Sequence, residues 1–204
     1  LTAMTNIVFK HGGTLDKYMG DAIMAIYGAP VDQPDHAQQA CDTALEMMQV
    51  LNELNAGWAR EGKPVLDIGI GINTGMMMVG NMGSEQRFEY TVLGDAVNLG
   101  SRLEGANKSY LTHILISEFT YDKVKGEFLC MEMDSVRVKG KTRSVKIYQL
   151  MGRKDASLSQ AETIRYFHQG LQFYKEQKWD KALEAFKTVS AMDKGVHAAQ
   201  IYME

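Results

Sequence analysis

The first part of the chain carries two hydrophobic patterns with helical spacing. Residues 1–10 place their apolar side chains on one helix face, but no capping residue precedes them, which is typical of the second half of a helix. Gly12-Gly13 then ends this pattern. A longer run with the 3.6-residue period covers 35–55, and Asp32 or Asp35 is available as its cap. The sequence therefore predicts a helix at each place.

Short or alternating apolar runs predict strands. Two of them, 14–19 and 22–27, are separated only by Gly20-Asp21, and a leading glycine suits a type II′ hairpin turn. At 66–72 a leucine and three isoleucines alternate with an aspartate and two glycines, which predicts a strand with one nearly bare face that another segment can approach closely. Together the patterns favour an α+β fold with a mainly antiparallel sheet. Further strands are predicted at 76–80, 89–93, 114–117, 130–138 and 145–151, with an irregular stretch at 81–88 and a helix at 95–107.

The end of the chain has a different pattern. Residues 153–160 are polar and predict a linker, and 161–204 are helical in pattern. The tail resembles one tetratricopeptide repeat, although a plain helical hairpin is an equal alternative. Because one repeat cannot bury its apolar face alone, we expect it to pack on the preceding domain, on a partner or on further repeats. The spacing that carries this resemblance is Tyr166, Gly170, Phe173, Ala182 and Phe186.

Composition narrows the class of protein. The formal net charge is −3, from 22 Lys and Arg against 25 Asp and Glu, so we expect no general attraction for nucleic acid or an anionic membrane. No apolar run is close in length to the ~20 residues needed to span a bilayer, and the start has no signal-peptide pattern. Cys41 and Cys130 follow no metal-ligand spacing and indicate reduced thiols. We therefore expect a cytoplasmic protein.

A carboxylate at a hairpin tip is the first candidate for chemistry. Asp21 lies at the predicted tip, and Lys17 precedes it by four residues on the incoming strand. An aspartate there can stabilise the turn through its own backbone, or it can meet a metal ion without being buried unpaired. Lys17 taken alone is compatible with a solvated surface lysine. Both interpretations stay open.

A helix face beyond the next strand is the second candidate. Asn98 and Arg102 stand four residues apart, so an amide and a guanidinium can address one ligand, such as a ribose and its phosphate. The alternative is a polar surface on which Arg102 pairs with a neighbouring acid. Thr91, on the preceding strand, can both donate and accept a hydrogen bond, or it can be an ordinary strand residue.

A basic turn is the third candidate. Lys139 and Lys141 follow a predicted strand, where either can meet a phosphate or protect a sheet edge. None of the three places is specific by itself. Together they supply contacts for a metal ion, a base, a ribose and phosphates.

These stretches resemble the catalytic domain of class III nucleotidyl cyclases, the adenylate and guanylate cyclases. The resemblance implies a ferredoxin-like α/β sandwich and covers a cyclase domain at 1–152. The linker at 153–160 and the C-terminal helical hairpin of the tail at 161–204 lie outside it and are predicted from the pattern described above. A tail of this kind resembles the bacterial multidomain members. The matching stretches are 12–25, 68–75, 91–104 and 138–141.

The same resemblance implies an activity and an assembly. The domain would work as a head-to-tail homodimer with two ATP sites across the interface. It would convert ATP to 3′,5′-cyclic AMP and pyrophosphate with two Mg²⁺ or Mn²⁺ ions. The helical tail, which lies outside the resemblance, is a candidate site for a protein partner.

The family's base and metal contacts map onto three residues. Asp21 would be the second of two metal-binding aspartates, and Lys17 with Thr91 would be the purine-selecting pair supplied by the opposite protomer. A lysine donates to adenine N1 and a threonine hydroxyl accepts from the exocyclic amine, so the pair favours ATP. Guanine-selective members usually carry an acid and a small polar residue or cysteine there.

The family's ribose and phosphate contacts map onto three more. Asn98 would orient the ribose, and Arg102 would stabilise charge on the α-phosphate as the 3′-oxygen attacks it. Lys139 would hold the terminal phosphates.

One departure from the family concerns its first strand, which bears the first metal aspartate and should precede residue 1. Neither Asp16, on the hairpin strand, nor Asp35, at a helix start, replaces that aspartate. We therefore expect a truncated chain that is catalytically disabled by itself, with an exposed sheet edge that promotes aggregation, strand swapping or an altered dimer.

Two other functions remain alternatives. In the first alternative, the chain is a non-catalytic cyclase-homology module that dimerises and binds a partner through its tail. Such a relative is expected to have lost several of the six site residues named above. An enzyme that makes a cyclic dinucleotide from GTP should carry a Gly-Gly-acid-acid-Phe turn, which the sequence lacks.

Overall fold

The computed structural model describes residues 1–84, 86, 88–137, 144–155, 158–193 and 195–203. Helices and strands are mixed along them, which confirms the α+β class. Across these residues, no helix combines the length and the apolar character needed to cross a membrane. The helices are α1 (Thr2–Lys10), α2 (His36–Arg60), α3 (Asp95–Tyr110), α4 (Glu118–Val124), α5 (Leu158–Lys175), α6 (Trp179–Met192) and α7 (Ala198–Ile201). The strands are β1 (Thr14–Met19), β2 (Ala22–Ile26), β3 (Ile70–Ile72), β4 (Met78–Gly83), β5 (Phe88–Leu93), β6 (Ile114–Ser117), β7 (Phe128–Arg137) and β8 (Ser144–Arg153).

The described residues divide into two compact units, and the first contains 1–68 and 73–100. It holds α1, α2 and two antiparallel hairpins, β1–β2 and β4–β5. The chain turns from α1 into β1 at Gly13, where a Cβ would lie 2.7 Å from the Tyr27 ring and 2.8 Å from Val8. A side chain does not fit there, so the predicted glycine stop also lets the hairpin pack against α1.

The second unit contains 69–72 and 101–204 and is built on a four-stranded sheet of order β3-β6-β8-β7. Among the described strand pairs of this sheet, only β3–β6 is parallel, as expected for a mainly antiparallel sheet. At Gly69 a Cβ would lie 3.0 Å from the carbonyl oxygen of Glu104 in α3. The predicted close approach to the glycine face is therefore confirmed. Fully buried side chains in the sheet include Leu115, Ile116, Met131, Met133 and Ile147.

The predicted strand 66–72 is wrong over its first half. Leu66 donates its N–H to Asn55 Oδ1 at 2.9 Å, and its carbonyl accepts from Asn55 Nδ2 at 2.7 Å. A side chain of α2 thus satisfies the backbone that a sheet neighbour would otherwise pair, and the strand covers only β3. The irregular stretch expected from residue 81 is also wrong at its start, because β4 continues to Gly83. A short helix that the sequence reading missed, α4, is capped by Ser117, whose side chain accepts the N–H of Thr120.

The helical tail packs on the sheet of its own unit. The imidazole Nε2 of His168 accepts the backbone N–H of Glu132 on β7 at 2.8 Å, and the Tyr202 hydroxyl donates to the carbonyl of Met133. Lys175 adds an ion pair with Glu132 at 2.7 Å. Of the three expected places for the tail, the structure therefore shows the preceding sheet. The predicted linker, 153–160, includes the last residue of β8 and the start of α5.

Docking of the tail on β7 is expected to weaken in mild acid. His168 is exposed as a whole residue, but its Nε2 lies against β7. Desolvation, together with Lys175 and Lys146 and against the effect of Glu132, holds the pKa of the ring below its usual 6.5. The unfolded chain binds the proton more readily, so this stability is complete above pH 6.5 and is lost as pH falls below it. Urea unfolding at pH 7.5 and 5.5 measures the loss. His168→Gln, whose amide oxygen accepts the same bond without titrating, should lose less; equal losses would contradict this role.

Candidate active site

The β1–β2 hairpin presents Asp21 to solvent. Met19 pairs with Ala22, so Gly20 and Asp21 form a two-residue turn. Gly20 has φ +65°, while the described non-glycine residues with positive φ do not include Asp21. This combination is typical of the predicted type II′ turn. The Asp21 side chain is therefore exposed at the tip, where a ligand can reach it.

A β-bulge lies four residues before the turn. Leu15 pairs with Ala25 and Lys17 pairs with Met24, so Asp16 is the extra residue of β1. A bulge re-aims the side chains around it. The Asp16 side chain is only 1% exposed, whereas that of Lys17 is 34% exposed. The irregularity buries a carboxylate beside a partly exposed ammonium.

Asp16, Lys17, Glu89 and Thr91 form one polar cluster, which we call the Asp16 cluster. The Thr91 hydroxyl on β5 donates to Asp16 Oδ2 at 2.8 Å. Lys17 Nζ lies 3.6 Å from Asp16 Oδ1 and 3.8 Å from Glu89 Oε2. Because Glu89 and Thr91 are two residues apart on β5, they share one face of that strand. The fold thus brings Lys17 and Thr91 together around a buried carboxylate.

Space for a ligand is present next to Thr91. Its cross-strand partner on β4 is Gly80, and no heavy atom of the described residues lies within 4 Å of where a Cβ of that glycine would be. Directly opposite residues on an antiparallel pair project to the same face. The missing side chain of Gly80 therefore leaves space on the side facing Thr91, which is itself only 8% exposed.

The start of α3 presents Asn98. Gly94, with φ +146°, follows β5 directly, and its carbonyl accepts the N–H groups of Val97 and Asn98. Asn73 Nδ2 donates to the carbonyl of Ala96 at 2.7 Å and fixes the first turn. Asn98 is exposed on this turn.

Farther along the same helix, Arg102 is exposed, one turn after Asn98. The apolar residues Leu99 and Leu103 are buried, at 4% and 1% exposure. The helix thus separates an apolar from a polar side, as the spacing predicted. An amide and a guanidinium four residues apart can bind neighbouring parts of one ligand.

A metal ion would find an incomplete set of ligands here. Among the residues that the structure describes, no group of three or more His, Cys, Asp or Glu side chains could hold one. Asp21 offers an exposed carboxylate, but Asp16 is buried and engaged with Thr91 and Lys17. The described residues therefore fit a single carboxylate contact and not a complete metal site.

The sequence reading missed Asp16 as a site residue, as well as Glu89 and Gly80. The adjacent Asp16 and Lys17 inside an amphipathic strand were a weak signal for Asp16. Neighbouring side chains of a regular strand point to opposite faces, so one of two adjacent charged residues would point inward. Lys139 and Lys141 lie outside the described residues.

Comparisons with known proteins identify the family. The profile of the family described as the adenylate and guanylate cyclase catalytic domain matches residues 2–152. The terminal-differentiation-specific adenylate cyclase of Dictyostelium discoideum is 35% identical over 198 residues, which are 95% of this chain and 9% of that protein. The chain therefore belongs to the adenylate and guanylate cyclase family, although it spans only a small part of that relative.

Solved cyclase structures share the fold. The adenylyl cyclase CyaB of P. aeruginosa matches with a TM-score of 0.68 at 36% identity, over 76% of this chain and 81% of that one. The guanylyl cyclase Cya2 matches with a TM-score of 0.68 at 37% identity, over 77% and 79%. The predicted cyclase-type sandwich is thus confirmed. Overall similarity does not separate an adenylyl from a guanylyl cyclase, so the choice of nucleotide depends on the site residues.

Proposed function

We propose that this domain is an adenylate cyclase that converts ATP to 3′,5′-cyclic AMP and pyrophosphate. The observation that carries the choice of ATP is the Asp16 cluster, which holds Lys17 and Thr91 together next to the open space at Gly80. The ammonium donates to adenine N1, and the hydroxyl oxygen accepts from the N6 amine. Guanine offers a donor at N1 and an acceptor at O6, the opposite arrangement.

The remaining contacts follow from α3 and the basic turn. Asn98 would orient the ribose, Arg102 would face the α-phosphate, and Lys139 would neutralise the terminal phosphates. Most of the acceleration would come from positioning the 3′-hydroxyl in line and from stabilising charge on the phosphate. Asp21 would be one ligand of the two Mg²⁺ or Mn²⁺ ions, whose positive charge would favour deprotonation of that hydroxyl and offset the charge of the triphosphate.

The proposed enzyme is a homodimer with its sites at the interface. The first unit exposes large apolar side chains around the β4–β5 hairpin: Met76 is 96% exposed, Met78 70% and Phe88 65%. Apolar surface of this kind is typical of an interaction site. Burial against a second copy would let one protomer supply the base contacts and the other the metal contact.

We further propose that 1–152 is the catalytic domain, 153–160 a linker and 161–204 a tetratricopeptide-like tail. The second candidate function, a scaffold that binds a partner through this tail, is favoured by the exposure of Trp179 at 57% and Tyr174 at 41%.

Cys41 and Cys130 are free thiols, which suits a cytoplasmic setting.

Turnover of MnATP and MnGTP tests the function. The natural protein that carries this sequence and the 204-residue chain are assayed side by side, and the products are separated by chromatography. Cyclic AMP is expected from the natural protein, in large excess over cyclic GMP.

We expect the 204-residue chain to be impaired, because the exposed Asp21 carboxylate belongs to no group of three or more metal-ligating side chains among its described residues. Robust cyclic AMP formation by this chain would refute the impairment. A folded, dimeric natural protein that forms neither cyclic nucleotide would refute the cyclase proposal and favour the scaffold.

A further inference from the structure

We propose that Asp16 sets the preference for adenine by fixing the direction in which the Thr91 hydroxyl points its proton. The inference rests on the proposed function, and it assigns a role to a residue that would not itself touch the nucleotide. Asp16 is therefore a positioning residue that acts through Thr91.

The direction of one hydrogen bond is the first step. The Thr91 hydroxyl donates to Asp16 Oδ2 at 2.8 Å. A hydroxyl has one proton, and an ionised carboxylate can only accept, so this bond cannot reverse. Once the proton is engaged, Thr91 has only lone pairs left for a ligand. Thr91 is thus converted from a group of either polarity into an acceptor.

The polarity of Thr91 decides which purine fits. An acceptor at this place matches the N6 amine of adenine, which donates. The same acceptor would face O6 of guanine, which is also an acceptor. Two desolvated acceptors that face each other both lack a hydrogen-bond donor, which is unfavourable. A site built around one polarity rejects the wrong base far more strongly than a site of apolar contacts does.

The placement of Asp16 supports a dedicated role. The bulge in β1 turns its side chain inward until only 1% is exposed. Its Oδ1 accepts no hydrogen bond from any described residue, and Lys17 Nζ stands 3.6 Å away. A buried carboxylate with an unsatisfied oxygen opposes folding. The fold retains it at the point where it orients Thr91 and neutralises Lys17, the two proposed base contacts.

Asp16→Asn tests the proposal because it reverses the hydrogen bond. The amide oxygen should face the Lys17 ammonium, so the NH₂ group faces Thr91 and donates to its hydroxyl oxygen. The Thr91 proton is then free to point at a ligand. In the natural protein, the ratio of kcat/KM for MnATP to that for MnGTP is expected to fall at least about tenfold. Asp16→Leu leaves the hydroxyl free to rotate and should give a smaller fall.

A double-mutant cycle separates this role from a structural one. In a Thr91→Val background the hydroxyl is absent, so Asp16→Asn should change the ATP-to-GTP ratio no further. Asp32→Asn, the same change at an exposed loop position, should leave the ratio as in the wild type. A general loss of stability would lower both activities together and leave their ratio unchanged.

Each outcome decides one question. A wild-type protein that forms no cyclic nucleotide overturns the proposed function. Two results would overturn the role of Asp16 alone while the wild-type protein forms cyclic AMP. In one, Asp16→Asn leaves the ATP-to-GTP ratio unchanged; in the other, it shifts that ratio equally in the wild-type and Thr91→Val backgrounds. If neither Asp16 variant folds, NMR of the wild-type chain decides: a slowly exchanging Thr91 hydroxyl proton supports the proposal, and a rapidly exchanging one contradicts it.

Discussion

Alanine in place of Arg102 is expected to lower kcat for cyclic AMP formation by about 10²–10³-fold, with a much smaller change in KM for ATP. Arg102 is exposed on α3, one turn beyond Asn98. Attack by the 3′-oxygen spreads negative charge over the α-phosphate in the transition state, and a guanidinium placed there interacts more strongly with that state than with bound ATP. Steady-state kinetics with MnATP in the natural protein measure both constants.

Two variants control this experiment. Arg102→Lys keeps the positive charge but loses the planar fork, so it should recover only part of kcat. Arg165→Ala removes an arginine whose side chain is 66% exposed in the tail, and it should leave kcat unchanged. A rise in KM alone for Arg102→Ala would show that the arginine binds substrate and transition state equally, contrary to the proposed role.

The parts of the site that depend on local rules were predictable from the sequence. A two-residue turn with a leading glycine places Asp21 at a hairpin tip whatever surrounds the hairpin. The helical period places Asn98 and Arg102 on one side of α3 and its buried leucines on another, about 100° away around the helix axis. Both features are determined within a few residues of the chain, so the sequence pattern alone was sufficient.

The parts that depend on distant partners were not predictable. Asp16 points inward because β1 and β2 pair with a bulge, and it is engaged because β5 brings Thr91 to it, 75 residues away. Likewise, Leu66 has an alternating pattern of strand type, but Asn55 satisfies its backbone instead. Local propensity does not reveal which partner a buried polar group will find.

Phe186→Ala is expected to lower the free energy of unfolding of the second unit by about 3–5 kcal/mol. The ring is fully buried in the tail, stacked on Tyr202 with centroids 5.1 Å apart and edge-on to Phe167 at 5.4 Å. A Cβ on Gly170 would lie 2.9 Å from it, so the glycine of α5 leaves the room that this ring fills. Truncation would leave a cavity between aromatic rings with little freedom to collapse.

Urea unfolding followed by circular dichroism measures this loss, and in a Trp58→Phe background the fluorescence of Trp179 on the same helix reports on the tail. Leu183→Ala is the matched control, because that side chain is 36% exposed on α6 and its truncation should cost at most about 1 kcal/mol. Equal costs for the two variants would mean that the aromatic contacts do not hold α5 and α6 together. A large cost for Phe186→Ala alone, with both probes changing at one urea concentration, would mean that the tail unfolds with the sheet that carries it.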